Sequence, residues 1–336
     1  MPTPSYGVNA WIGFGDETTW GTAVSRTDYL EQNNSSLDPE IRYGFRRKAR
    51  GIAPSGKYTQ FSRGNGTVSF DLLYEGYLLL FKHLLGGSAT TDITTGQSYR
   101  HTFDRASALP AGLTIEEEKD AQNFLYTGGR IAQATLRFPA GEVPELELQV
   151  ATEDAIVNQT VSTPTFPTER LILPVDGSVT LSSTNITSAD FASEIVSVAF
   201  TVTNSLDTER QRIGSTSPKE FVRSSTRAET TISLEFSEQN TDTDNFVEEF
   251  VNQNTLDLTL QMQSSTTIGT SSDQYTLKIE APTCVINSAP TPVQDPGAIP
   301  LSLELLALET ASASFDIDDG TDTDIKVTVD NSESAI

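Results

Sequence analysis

Few residues of this chain have the types and spacing that catalysis or metal binding requires. The two histidines, His83 and His101, lie in no metal-ligand motif, and no Gly-x-Ser-x-Gly or Walker sequence occurs. The Gly-x-Gly of residues 13–15 lacks the third glycine of a dinucleotide-binding loop. In the acidic run of residues 316–324 the glycine comes one position too early for an EF-hand. The sequence therefore predicts a protein that is not an enzyme and that needs no metal or other cofactor.

The overall charge is the more informative chemical feature. The formal net charge is −24, from 46 acids and 22 bases. A body this acidic repels phosphates, which argues against ordinary nucleic-acid binding. Two compatible explanations remain. One is a high-salt source, where a Debye length of about 3 Å screens the self-repulsion; the other is a surface past which DNA slides without sticking.

Twelve of the 22 bases are concentrated in two short segments. They are Arg42, Arg46, Arg47, Lys48, Arg50, Lys57 and Arg63 in the first basic segment, and Arg210, Arg212, Lys219, Arg223 and Arg227 in the second. Glycine, serine and proline are frequent in the first basic segment, which predicts a long loop or a mobile hairpin. Each segment is either a solvated flexible loop or a contact loop that docks on the acidic body of another subunit.

Each basic segment precedes a strand–helix unit, which the chain contains twice. Residues 67–72 alternate between apolar and polar, and residues 231–236 repeat that pattern position for position. A helical pattern over residues 74–85 follows the first strand, with His83 expected at the edge of the helix. A second helix, capped by the short acidic stretch of residues 242–244, should carry an apolar face. That face consists of Phe246, Val247, Phe250 and Val251.

Three further matches lie in the same order on both sides of these units. Residues 36–40 resemble 205–209, residues 113–116 resemble 277–280, and residues 146–148 resemble 303–305. Two of the four matches, Thr67 with Thr231 and Leu113 with Leu277, share an offset of 164 residues. Two copies are too few for a solenoid. We therefore predict two tandem domains, residues 1–160 and 161–311, followed by an acidic C-terminal tail or extra strand over residues 312–336.

The remaining sequence favours a mainly β fold. Alternating segments divided by turn residues predict strands over residues 98–103, 113–118, 124–126, 129–138, 144–152, 177–181, 194–203, 256–262, 275–280, 284–287, 299–308 and 326–329. Residues 153–170 have the composition of an interdomain linker, and Cys284 is expected to be a small core residue on a strand. No apolar run approaches the roughly 18 residues that a membrane span needs, so no membrane partner is expected.

Several of these stretches together resemble a known family. They are residues 13–22, residues 36–40, the first basic segment with the strand–helix unit ending at Gly87, and residues 99–103 before 113–116. The chain resembles the tail tube (major tail) proteins of long, flexible-tailed viruses. The likeness covers nearly the whole chain, apart from the acidic tail after about residue 311.

This resemblance implies two β-sandwich domains, each with one flanking helix, whose sheets join those of neighbouring subunits into a closed ring barrel. Rings stack into the tail tube of the virion after assembly in the host cytoplasm, and residues 42–66 would reach the adjacent ring. The partners are further copies of the chain and other tail proteins, and viral DNA passes through the lumen without specific binding. Two domains per chain imply a trimer with pseudo-sixfold symmetry, and a hexamer is the alternative.

Two other classes of protein remain open from the residues alone. One is another virion component, such as a tail terminator, a baseplate hub or a β-sandwich adhesin. The other is a hydrolase or carbohydrate-binding β protein, which would need a cleft with clustered aromatics and carboxylates. The only tryptophans, Trp11 and Trp20, both lie in the part that matches the tube pattern, which weighs against the second class.

Overall fold

A computed structural model describes residues 7–48, 52–120, 122–183, 186, 194–224, 227–237, 245–290, 299, 301–316 and 320–336. The helices are α1 (Leu78–Leu85) and α2 (Asn245–Asn252). The strands of the first half are β1 (Trp11–Glu17), β2 (Asp28–Leu30), β3 (Asn34–Ser35), β4 (Asp38–Arg46), β5 (Gly56–Asp71), β6 (Ala89–Thr94), β7 (Ser98–Asp104), β8 (Gly112–Glu118), β9 (Asn123–Pro139), β10 (Glu145–Thr152) and β11 (Asp154–Val157). Those of the second half are β12 (Gly177–Ser182), β13 (Ile195–Thr203), β14 (Leu206–Asp207), β15 (Val222–Arg223), β16 (Glu229–Phe236), β17 (Thr255–Thr267), β18 (Gln274–Ser288), β19 (Leu301–Ala307) and β20 (Lys326–Asn331).

The predicted mainly β fold is confirmed. Eighteen of the described strands connect into one antiparallel sheet, and β14 pairs with β15 alone. A run of eight strands crosses the sheet in the order β4, β5, β10, β9, β13, β16, β19, β18. Within the described residues this run does not close on itself into a barrel. We call it the long run below.

The pairing of strands in the first half recurs in the second. β5 pairs with β10 as β16 pairs with β19, and the register matches: Val68 lies opposite Leu148, and Ile232 lies opposite Leu305. On the outer side, β1, β8 and β9 pair in succession as β12, β17 and β18 do. The matches between residues 67–72 and 231–236 and between 146–148 and 303–305 therefore fall at equivalent places.

The other two sequence matches do not fall at equivalent places in the two halves. Residues 113–116 lie on β8, which pairs with β1 and β9, whereas residues 277–280 lie on β18, which pairs with β17 and β20. Asp38 lies opposite Asn65, but the residue opposite the equivalent Glu229 is Thr203, not Asp207. Short alternating patterns recur on any half-buried strand, which is why these two matches misled.

Two predicted pairs of strands are each one long strand. The stretches 124–126 and 129–138 both belong to β9, and 275–280 and 284–287 both belong to β18. Gly128 is at φ +60°, a left-handed conformation that glycine adopts without strain. The chain bends there but keeps its partners, since β8 pairs with one part of β9 and β10 with the other.

Helix α1 is shorter and more deeply buried than predicted. It begins at Leu78, and all of its residues except Lys82 are buried, packed against β7 and β9. His83 is 2% exposed, not at an exposed edge, and its Nε2 lies 3.0 Å from Asp16 Oδ1. Burial lowers the pKa of His83, while the hydrogen bond to His83 is the main reason that the pKa of Asp16 falls to about 2.

Helix α2 does not bury the predicted apolar face. Phe246 is buried, with its ring centroid 5.4 Å from that of Phe236, and Glu249 is buried beside it. Phe250 and Val251 are instead 39% and 71% exposed. Ser183 Oγ donates to Glu249 Oε1 at 2.7 Å, so a polar contact fixes the side of the helix that the apolar pattern did not predict. The predicted cap at residues 242–244 lies outside the described residues.

The predicted linker and the C-terminal segment both pack on the body of the molecule, and the first part of the linker forms β11, which pairs with β9. The Tyr74 N–H donates to the Arg170 carbonyl at 3.1 Å, and the Ile172 N–H donates to the Leu72 carbonyl at 3.2 Å. Beyond the acidic turn, β20 inserts between β18 and β7, so the extra-strand alternative describes residues 326–331. Cys284 is buried on β18, as predicted.

Candidate assembly surfaces

The first basic segment forms a hairpin of β4 and β5, which projects from the long run. Large apolar side chains along it are exposed to solvent. They are Ile41, Tyr43, Phe45, Ile52 and Tyr58, with exposed fractions of 43% or more. Large apolar side chains exposed this close together on a soluble protein usually mark an interaction site.

Most of the basic side chains on this hairpin are also exposed. The Arg42 guanidinium carbon lies 4.6 Å from the centre of the Phe61 ring, and Lys57 Nζ lies 5.0 Å from that of Tyr43. Arg46, Arg47 and Lys48 follow at the end of β4, exposed, and Arg50 lies outside the described residues. The hairpin thus combines aromatic rings with positive charge, which suits contact with an acidic partner surface.

Arg63 differs from the other bases of the first segment, because it is buried. Its Nε donates to Glu40 Oε2 at 2.8 Å, and its Nη1 donates to the Thr208 carbonyl at 3.0 Å. Glu209 Oε1 accepts a third bond from Nη1 at 3.2 Å. Arg63 therefore ties the base of the hairpin to the second half of its own chain.

The second basic segment is folded onto the first half of the molecule. Phe221 is fully buried, with its ring centroid 5.2 Å from that of Trp20. Glu220 Oε1 accepts from Arg130 Nη2 at 2.8 Å. Arg223 donates to the Ala106 carbonyl. The two basic segments are thus in different surroundings: the first projects, and the second is an anchored strap.

The remaining bases of the second segment lie at the surface of this strap. Arg210 Nη1 donates to the Glu220 carbonyl at 2.9 Å, and Arg212 Nη2 lies 3.4 Å from Glu153 Oε1. Lys219 and Arg227 are exposed. The segment is held both by contacts within itself and by contacts to the first half of the same chain, which composition alone does not indicate.

A third surface, missed in the sequence, is the polar face of the long run. Alternation places Leu146, Leu148 and their equivalents in the core, so Glu147 and its neighbours point to the opposite face. The acids on this face are Asp71, Glu145, Glu147, Glu229, Glu235 and Glu304, and a base there is Arg137. Most of the rest is serine, threonine and glutamine. The sequence feature that could have indicated this face is the repeated Leu-Glu-Leu of residues 146–148 and 303–305.

The fold and these surfaces define a mainly β protein. Its distinctive features are a projecting ribbon and a broad polar sheet face. No helix in the described part of the chain has the length and apolar character needed to cross a bilayer.

The chain belongs to the phage tail tube protein family, whose family model matches residues 7–330. Proteins of this family are structural, non-enzymatic components of the virion tail. The predicted family is confirmed, and the match also includes most of β20, although the likeness was expected to stop near residue 311. No curated protein matches the chain in a sequence comparison.

Proposed function

We propose that this protein assembles into stacked rings that form the tube of a viral tail and conduct DNA during ejection. The observation that carries the proposal is the junction between β9 and β13. These strands pair over residues 133–139 and 197–203, so the sheet of one half continues directly into the other. A closed ring barrel requires a sheet that continues from one unit to the next. Closing that sheet removes its exposed edges.

The repeated pairings support two tandem tube domains, residues 1–160 and 161–311. Strand β20, within residues 312–336, would complete the second domain. It pairs with β18 as β11 pairs with β9. Three chains of two domains each would give a pseudo-sixfold ring, and a ring of six chains is the alternative.

The polar face of the long run would line the lumen. Its acids repel phosphates, so DNA would move along the channel without being retained. The projecting β4–β5 hairpin would contact the adjacent ring or subunit, where its bases meet the acidic surface of a body with net charge −24. Other tail proteins would cap the tube, and assembly would take place in the host cytoplasm.

Negative-stain electron microscopy tests the proposal. Purified protein is imaged at low and at molar salt, and end views are averaged for symmetry. Stacked rings with three strong and three weak lobes support the tube and the trimer together. Six equivalent lobes keep the tube but require six chains. Single rings that never stack indicate a terminator or another virion component, and dispersed single chains under every condition contradict the proposal.

A further inference from the structure

We infer that the ring is closed by a seam in which residues 34–36 of one chain pair with residues 288–290 of the next copy, with Ser36 opposite Ser288. This inference rests on the proposed function. It assigns residues to a contact between copies, and it follows from transferring the internal β9–β13 junction to the two ends of the long run.

The internal junction supplies the template. Thr201 of β13 lies opposite Thr135 of β9. The Asn204 N–H donates to the Ala132 carbonyl at 2.9 Å in the same register. Hydrogen-bonded and non-hydrogen-bonded pairs alternate along antiparallel strands. Thr201 and Thr135 therefore form a non-hydrogen-bonded pair, in which the Cα atoms approach most closely.

The residue equivalent to Thr201 is found through β16 and β5. Thr201 lies opposite Thr231 of β16, and Thr231 corresponds to Thr67 of β5 in the repeated strand. The Ser36 N–H donates to the Thr67 carbonyl at 2.8 Å, and the hydroxyls of these two residues are 3.0 Å apart. Ser36 thus occupies in the first half the place that Thr201 occupies in the second.

The residue equivalent to Thr135 is found through β10 and β19. Thr135 lies opposite Glu147, and Ser288 lies opposite Glu304. Glu147 and Glu304 are the central residues of the repeated Leu-Glu-Leu. Ser288 thus corresponds to Thr135, and the pair between chains that is equivalent to Thr201–Thr135 is Ser36–Ser288. The register of β18 against β19 shifts between Ile286 and Ser288, so the equivalence applies from Ser288 onward.

Both edges are open where the seam needs them. Among the described strands, β3 and β4 pair only with β5, and the end of β18 after Val285 pairs only with β19. The two edges lie at opposite ends of the long run, so a second copy supplies the partner. Exposed edges of this kind pair readily with another strand.

The side chains at these edges suit pairing in a very acidic protein. Both stretches are free of charge, and the neighbouring Asp38 lies 3.0 Å from Lys119 Nζ. The Leu37 carbonyl already accepts from Tyr126 Oη at 2.9 Å and from Lys119 at 2.8 Å. Because the Leu37 carbonyl is already occupied, the main-chain hydrogen bonds of the seam would be made by Ser35. Ser35 is the equivalent of Phe200 at the internal junction.

Cysteine cross-linking tests the seam in the full chain. Non-hydrogen-bonded antiparallel pairs have Cα atoms about 4.5 Å apart, within the range of a disulfide. We expect Ser36→Cys/Ser288→Cys protein, after oxidation, to give covalent dimers and trimers on non-reducing gels. The matched control is Thr135→Cys/Thr201→Cys, which should cross-link only within each chain. The single variants control for the native Cys284, which is buried.

The outcomes separate the seam from the tube. Linked species that stop at three chains support the seam and a trimer, and a ladder that reaches six supports the seam in a ring of six chains. Tubes visible by microscopy without intermolecular bands, while the control pair links, overturn the seam and leave the proposed function standing. If neither tubes nor intermolecular bands form, both the seam and the proposed function are overturned.

Discussion

At the scale of single residues, Glu333 is a carboxyl group whose protonation should affect the stability of the fold. It anchors the segment after β20: the Gly76 N–H lies 3.2 Å from both carboxyl oxygens, and Asn331 Nδ2 donates at 2.6 Å. Burial raises the pKa of Glu333 from 4.5 to about 7, and the nearby Glu75 and Asp28 act in the same direction. The native state therefore holds a proton there that the unfolded chain releases more readily.

The sign of the pH dependence follows from that shift. Stability from protonated Glu333 is fully present below pH 4.5 and is lost as pH rises through about 7. We expect Glu333→Gln to remove this dependence. The free energy of unfolding of the parent should fall relative to the variant by about 1–3 kcal/mol between pH 4.5 and pH 8. Urea denaturation at both pH values measures the difference. Glu309→Gln, at an exposed position, is the control, and identical slopes for parent and Glu333→Gln would contradict the prediction.

At the scale of elements, the β4–β5 hairpin has a testable role in stacking. Replacing Arg46, Arg47 and Lys48 with glutamate reverses three exposed charges and leaves the core unchanged. We expect this variant to form single rings with normal circular dichroism but few or no stacked tubes, because its hairpin would be repelled by the acidic body. Tube length in micrographs is the measurement. Arg137→Glu, an exposed arginine on the sheet face, is the control, and tubes of parental length in the triple variant would exclude the docking role.

Local sequence pattern predicted most strands but not their partners. Alternation located β10, β13 and β16, whose buried and exposed residues follow the period of two. The same pattern split β9 and β18 into two predicted strands each. A local turn signal does not reveal that neighbouring strands pair with the chain on both sides of the turn. The burial of Glu249 in α2 was also missed, since it depends on a hydrogen bond from Ser183, distant in the chain.

The assembly surfaces were predicted only in part for the same reason. Charge clustering found both basic segments, but the anchoring of the second depends on Phe221 meeting Trp20 and on Arg130 meeting Glu220. These contacts join residues far apart in sequence. The match between residues 146–148 and 303–305 indicated a duplicated strand. Only the strand pairing shows that its glutamates, Glu147 and Glu304, lie on one common face of the sheet.

At the scale of the whole molecule, we expect the acidic sheet face to determine how weakly an assembled tube binds DNA. Glu147 and Glu304 occupy equivalent positions on it, so Glu147→Lys/Glu304→Lys changes both halves of the chain alike. We expect tubes of this variant to bind a short fluorescent duplex about tenfold or more tightly than the parent at low salt, with the difference disappearing as salt increases. Fluorescence anisotropy provides the measurement. Glu142→Lys/Glu309→Lys adds the same charge at exposed positions away from this face. Equal DNA binding by the two double variants would contradict a lumenal position for the face.

The junction of β9 with β13 would also affect how fast the proposed rings nucleate. Because both strands belong to one polypeptide, they meet at an effective concentration of order millimolar, whatever the concentration of the protein. In a ring of three chains, every second junction is already made before any two chains collide. Ring formation then depends less steeply on protein concentration than it would for single-domain subunits. If the chain forms the proposed rings, the continuous sheet within it would favour rapid, complete ring closure when few copies of the chain are present.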